Sequence, residues 1–350
     1  MKYSCITYPD FEPNHTWLRQ VLLFVDEVHR IVPVNEPLHD SEALKRLMEH
    51  CPGAVQRCPP EEYVEIPESQ ADLLRKAIDQ PRFTNVATAK KMVFAFGLDG
   101  NMEVKGWEFL HMEKIGPRVE RVLSSKGMLR NSPLDSKWRL VPRGVAVLVL
   151  GMVADQIAQH RGFDAVTDQP LAFAINALYN CTGHGNSHLE GIVASTVASV
   201  HVPKAIALLS PAEYAELRKR HADVRQEFGR FVHELKEGAR LARVTKPAEF
   251  RSRIDEITMS VDKELRKFRI SKQAAKFNDW VPFLMTTLIP VAATIVFGPV
   301  PGLVTTGFTF TVNAAARAAK KTAHFSHPRV LQTLCAAQDL SWRAEIRRLQ

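Results

Sequence analysis

Thirty-six consecutive residues, Val281 to Ala316, carry no Asp, Glu, Lys or Arg. Any fold for this chain must bury them, offer them to another copy, or offer them to a membrane. The stretch reads VPFLMTTLIPVAATIVFGPVPGLVTTGFTFTVNAAA. Its first arm, Val281 to Phe297, has 17 residues and sits at the lower limit for a spanning helix. Pro282 and Pro290 interrupt it, and Gly298-Pro299-Val300-Pro301-Gly302 is a turn. The second arm, Leu303 to Ala316, contains Thr305, Thr306, Thr309, Thr311 and Asn313 and is too short and polar for a conventional span. Lys272 and Lys276 precede the stretch, and Arg317, Lys320 and Lys321 follow it, which puts both ends on the cytoplasmic side of any membrane it enters. The pattern predicts a hairpin or re-entrant segment, inserted in the inner membrane or buried in a soluble fold or homo-oligomer interface.

Charge brackets this stretch. The formal net charge is +8, yet residues 211–278 carry 17 Lys and Arg against 11 Asp and Glu, and residues 317–350 carry 7 against 2, while residues 1–210 are slightly acidic. Such asymmetry suits an anionic membrane surface, nucleic acid or a solvated helical face. Nucleic acid ranks last, because aromatic residues are not interleaved with the basic ones. Five cysteines (Cys5, Cys51, Cys58, Cys181, Cys335) are scattered and odd in number, as expected of reduced thiols in a cytosol. The N-terminus has no apolar core behind a basic start, so no secretory signal is expected.

Residues 211–278 read as the strongest structural pattern. Ser210 caps a helix with Pro211 at its first position. Apolar residues then recur at heptad-like spacing from Leu217 through His221, Phe228 and Leu235 to Ala242, and again from Phe250 to Phe268. Val244 to Pro247 breaks the two runs. This predicts an antiparallel hairpin of two helices of about 30 residues each, with His221 as a polar interruption of the seam. After Pro328, a helix over 329–337 and a basic one over 342–349 are expected, with Arg343, Arg347 and Arg348 forming a cationic face.

The first part of the chain is mixed. Lys2 to Tyr8 reads as a strand, and Asn14 or Thr16 caps a helix carrying Trp17, Leu18, Val21, Leu22, Val25 and Val28. Helices follow over 41–51 and 68–79, with a proline-rich loop or rigid edge between. Lys91 to Leu98 reads as a strand and Pro117 to Lys126 as a helix. Lys137 to Val141, an all-apolar helix from Pro142 and Phe163 to Thr167 form a βαβ-like pattern with a partly parallel sheet. The expected class is therefore an α+β or α/β domain over 1–205 in a predominantly helical chain. A helical hairpin (206–278), an apolar hairpin (279–323) and basic terminal helices (324–350) complete it.

Four features in order, Tyr3-x₄-Tyr8-Pro9 with its Trp-Leu helix, Leu110-His111-x₂-Lys114, the helix LGMVADQIAQ and Val166-Thr167-Asp168, resemble an uncharacterised bacterial domain-of-unknown-function family over roughly residues 1–170. The resemblance implies a bacterial origin and a cytoplasmic start, and no activity.

Candidate chemistry is thin. Asp155, Asp164 and Asp168 could gather around Mg²⁺ for metal-dependent, nuclease-like hydrolysis, although Asp155 also reads as an exposed helical residue and Asp168 as a helix cap. Cys181, His184, His188 and Glu190 have soft and borderline ligands in a glycine-containing loop that could wrap Zn²⁺, or form a plain polar connection. His111 and Lys114 are a polar pair at an element junction, or surface residues. The leading expectation is a bacterial sensor or interaction protein whose apolar hairpin packs into an oligomer or membrane. A defence or stress-response effector is one concrete version, and the metal-dependent hydrolase and a nucleic-acid-binding protein are the alternatives.

Overall fold

A short first strand sets the centre of the α/β half. In the computed structural model, which describes residues 3–8, 12–34, 40–60, 65–79, 106–133, 136–169, 172, 188–244, 247–280 and 327–349, β1 (Ser4–Thr7) is buried at every position. The apolar stretch 281–316, the expected strand at 91–98 and the loop 181–187 lie outside the described residues. α1 (His15–Leu22) follows, with the Asn14 side chain accepting from the amides of Thr16 and Trp17 at 3.0 and 3.1 Å, the expected cap. β2 (Glu27–Ile31), α2 (Glu42–His50) and β3 (Val55–Cys58) come next. β2 and β3 correct the sequence expectation. Val25 and Val28 continue the helical spacing of α1, but the helix ends at Leu22, and Val28 enters a strand paired with Cys5. Val55 to Cys58, in the proline-rich loop, pairs with β2. Both strands are specified by parallel partners distant in sequence, which local spacing does not encode.

After α3 (Glu68–Ile78) the chain builds a second, antiparallel sheet from β4 (Trp107–His111), β5 (Arg130–Asn131) and β6 (Trp138–Pro142), with α4 (Pro117–Ser125) starting on a proline. The expected βαβ unit is therefore corrected: β6 pairs with β4, not with the strand after the next helix. That helix, α5 (Arg143–Arg161), is buried from Gly144 to Ala158, as its all-round apolar sequence requires. Gly162 closes it at φ 67, a left-handed turn that glycine takes without steric cost. The chain then enters β7 (Asp164–Val166) on the free side of β1. The parallel sheet has the order β3-β2-β1-β7, so the direction of winding reverses between β1 and β7. In open α/β sheets ligands bind outside the carboxyl ends of the strands at this reversal.

α6 (His188–His201) lies directly on β7. A Cβ at Gly191 would stand 1.9 Å from the Ala165 carbonyl oxygen, so only glycine permits this approach. The helical half surrounds α6. α7 (Pro211–Arg220) opens with a full capping box between Ser210 and Glu213. The expected 30-residue helix is divided at residues 221–223, where His221 hydrogen-bonds Thr333 at 3.0 Å. α8 (Val224–Gly238), α9 (Pro247–Trp280) and α10 (Pro328–Leu349) follow. α10 is one helix where two were expected. α8 and α9 pack chiefly on α6 and α10 rather than on one another, so the apolar residues read as a two-helix seam serve a larger bundle.

Candidate functional site

The carboxylates singled out in the sequence lie at different edges of the parallel sheet. Asp168 stands beyond the carboxyl end of β7, where it accepts the Asn14 amide at 2.5 Å. It thereby clamps the loop after β7 to the start of α1. Beside it, Trp17 Nε1 donates to Ser195 Oγ at 3.1 Å, and that hydroxyl donates to the Thr167 carbonyl at 3.2 Å. The β7 loop, α1 and α6 are thus tied at the sheet reversal. Asp155 is not an exposed helical residue: it is 1% exposed and accepts from Gln159 at 3.0 Å. Its charge, after burial itself, pushes the neighbouring Tyr8 phenol upward and keeps it neutral.

Asp164 opens β7, at the sheet's amino edge, about four strand residues or ~13 Å from Asp168. It accepts the Tyr3 hydroxyl at 2.7 Å. Burial, with the Glu190 charge adding to it and the Tyr3 bond opposing, raises its carboxyl to about 6. Glu190, on the first turn of α6, receives Lys236 at 2.6 Å and His233 at 2.8 Å. Burial works against its ionisation, but these two partners outweigh it and hold the carboxyl below the usual range. Among the described residues no three His, Cys, Asp or Glu side chains gather as a metal-holding group. Of the proposed zinc loop, Cys181 and His184 lie outside those residues, and His188 is described only as the first residue of α6.

His111 and Lys114 are a further correction. They are 1% and 3% exposed, not surface residues. His111 ends β4, accepts the Glu113 amide at 3.3 Å and meets Trp138 edge-on with centroids 4.9 Å apart. The antiparallel partner β6 buries this junction, and that pairing is not visible in the local sequence.

The helical half presents different chemistry. α9 and α10 run in the same direction: Glu256 to Glu264 face His327 and Leu331 across one groove, and further along Arg269 hydrogen-bonds Gln338. On α10, Ser341 and Ala344 face the core, whereas Trp342 is 61% and Ile346 39% exposed. These two stand one turn apart on the outer face. Arg343 and Arg348 are exposed beside them, and Arg347 reaches Glu213 on α7 at 2.9 Å. The arginines were legible as a cationic face. The exposure of Trp342 and Ile346 was not, because the helical spacing of the segment does not say which face is covered.

Among the described residues, no helix is long and apolar enough to cross a membrane. Comparison with protein-family models, with curated proteins and with solved structures gives no match to this chain.

Proposed function

We propose that this chain is an interaction protein that attaches to an anionic membrane surface through the end of its helical bundle, with the α/β half carried as a recognition module. The observation behind this reading is the exposure of Trp342 and Ile346 beside Arg343 and Arg348 on the last turns of α10, a helix that runs in the same direction as α9. An indole buries its apolar body at a lipid interface while its N–H keeps a polar partner. Each cation close to an anionic leaflet adds about 1 kcal/mol, and that contribution falls with salt. The uncharged stretch then enters the acyl region from an end already held at the surface. The α/β half is joined to this end through α6, which touches β7, α8 and α9.

Vesicle flotation of the full chain tests the proposal. It is expected to float with vesicles rich in phosphatidylglycerol, less in high salt, and not with phosphatidylcholine alone. W342A/I346A is expected to weaken flotation severalfold without loss of fold. A full chain that stays with the soluble fraction in low salt, or that self-associates through this end in place of floating, overturns the reading.

A further inference from the structure

The antiparallel sheet turns one face to the core and the other outward. Leu110 and Val141 point inward, 1% and 0% exposed, on strands that α5 covers. Strand alternation sends their neighbours the other way. Phe109 on β4, Leu140 on β6 and Arg130 on β5 are register partners in one row across the three strands. Phe109 is 44% exposed, and Arg130 is exposed at the far end of the row. Trp107 stands two residues before Phe109 on the same side, and the Arg130 guanidinium lies over its ring, 3.7 Å from the centroid.

A lone exposed ring would call for no explanation; this face combines the ring with charge. The guanidinium is already held flat on an indole, so a planar cation is oriented before any ligand arrives. Among the described residues of the three strands, no carboxylate shares the face. Glu108 alternates to the other side, where it lies 3.2 Å from Arg143 Nε. The surroundings are basic as well: residues 106–143 carry 8 Lys and Arg against 4 Asp and Glu, whereas the rest of residues 1–210 carries 14 against 20. This segment is thus a cationic island in the acidic part of the chain. Rings and cations that the linear sequence does not interleave are brought together by strand register.

We infer that this sheet face binds single-stranded nucleic acid. An unpaired base stacks on Phe109, and the Arg130 guanidinium pairs with the adjoining phosphate while it stays on Trp107. Every base has a π-face, so sequence preference is weak, and neither contact touches the 2′ position, so RNA and DNA bind alike. A duplex keeps its bases out of reach of a flat sheet. The assignment names a ligand for the α/β half and uses no residue of α10, so it stands or fails apart from membrane attachment.

Fluorescence anisotropy of the full chain with labelled oligothymidylate and oligouridylate of about twelve nucleotides, within usual site sizes, tests it. Both are expected to bind with similar affinity, more tightly than the thymidylate strand annealed to its complement, and less tightly as salt rises. F109A should weaken binding about fivefold or more. F109L, which keeps an apolar side chain but no ring, should match F109A, and F109Y should match the parent. R130A should weaken binding and flatten its salt dependence, whereas R343A/R348A, on the distant cationic face, should leave it unchanged. Circular dichroism is expected to be the same for all variants, whose side chains are exposed. Absence of binding in low salt, equal affinity for the duplex, parent-like binding by F109L, or a loss in R343A/R348A as large as in R130A overturns the assignment. Vesicle flotation lost in F109A would overturn it too, by giving this face to lipid.

Discussion

The carboxyl edge of the parallel sheet and the outer face of the helical bundle treat their polar and apolar groups in opposite ways. At the carboxyl edge of the sheet, Asp168, Asn14, Trp17, Ser195 and Thr167 bond one another, and Asp155 is enclosed with a partner. Among the described residues, the groups at this edge join elements to one another. The helical half leaves Trp342, Ile346 and Met259 outside and keeps an acidic groove open between two of its helices. The difference teaches where association belongs. Saturated hydrogen bonding fixes a scaffold, whereas unspent apolar and charged surface is what a partner can use.

Substitutions ranked by expected effect break or sharpen this contrast. The largest belongs to Gly191. G191A places a Cβ against the Ala165 carbonyl, and since backbone must move, about 3 kcal/mol or more of stability should be lost in urea unfolding. A cost under about 1 kcal/mol would mean that α6 is not seated on β7 as described.

Asp164 comes next, and its effect has a pH signature. Its carboxyl is raised to about 6 in the folded chain, above the ~3.9 of an unfolded one. The folded state therefore holds the proton more tightly, and stability is lost as pH rises from about 4 through about 6. The ionised, buried group then costs on the order of 3 kcal/mol at neutral pH. D164N should remove that slope, being more stable than the parent near pH 8 and similar near pH 4. Thermal melts across this range check it; a parent that gains stability on passing from pH 4 to 7 relative to D164N contradicts the buried geometry.

Smaller again is the clamp at the sheet reversal. N14A deletes the cap of α1, worth about 1 kcal/mol, and D168A leaves the Asn14 amide without its carboxylate, at a cost of about 1–3 kcal/mol. Because Asp168 holds the Asn14 backbone amide, which N14A retains, whereas the Asn14 side chain caps Thr16 and Trp17, the double variant should cost close to the sum, measurable as a double-mutant cycle. A D168A cost near zero would separate the β7 loop from α1. The smallest effect on stability is expected for W342A/I346A, within about 0.5 kcal/mol, even though vesicle attachment should suffer.

What the sequence revealed followed the range of the interactions involved. Ser210, Asn14 and Pro117 act within a few residues, and their helix starts were readable. α5 was readable as buried because no face of it is polar. β2 and β3 were not read as strands because their parallel partners, β1 and β3 for β2 and β2 for β3, lie more than twenty residues away in sequence. His111 was misplaced for the same reason, as its burial comes from pairing with Trp138 on β6. In the helical half the apolar spacing was visible but its partner was not: the residues assigned to a seam between two helices face α6 and α10 instead. The groove could not be anticipated, because it depends on those two helices being held apart. The arginines of the terminal helix were legible, whereas the face they share with Trp342 required the packing of Ser341 and Ala344.

Amide hydrogen exchange of the full chain, with and without phosphatidylglycerol vesicles, tests the central claim most directly. Protection is predicted for the last turns of α10 around residues 342–349 and for the apolar segment 281–316, with β1, β2 and α1 unchanged. Vesicle-bound protein that shows new protection only in the α/β half, and none around residues 342–349, would contradict it.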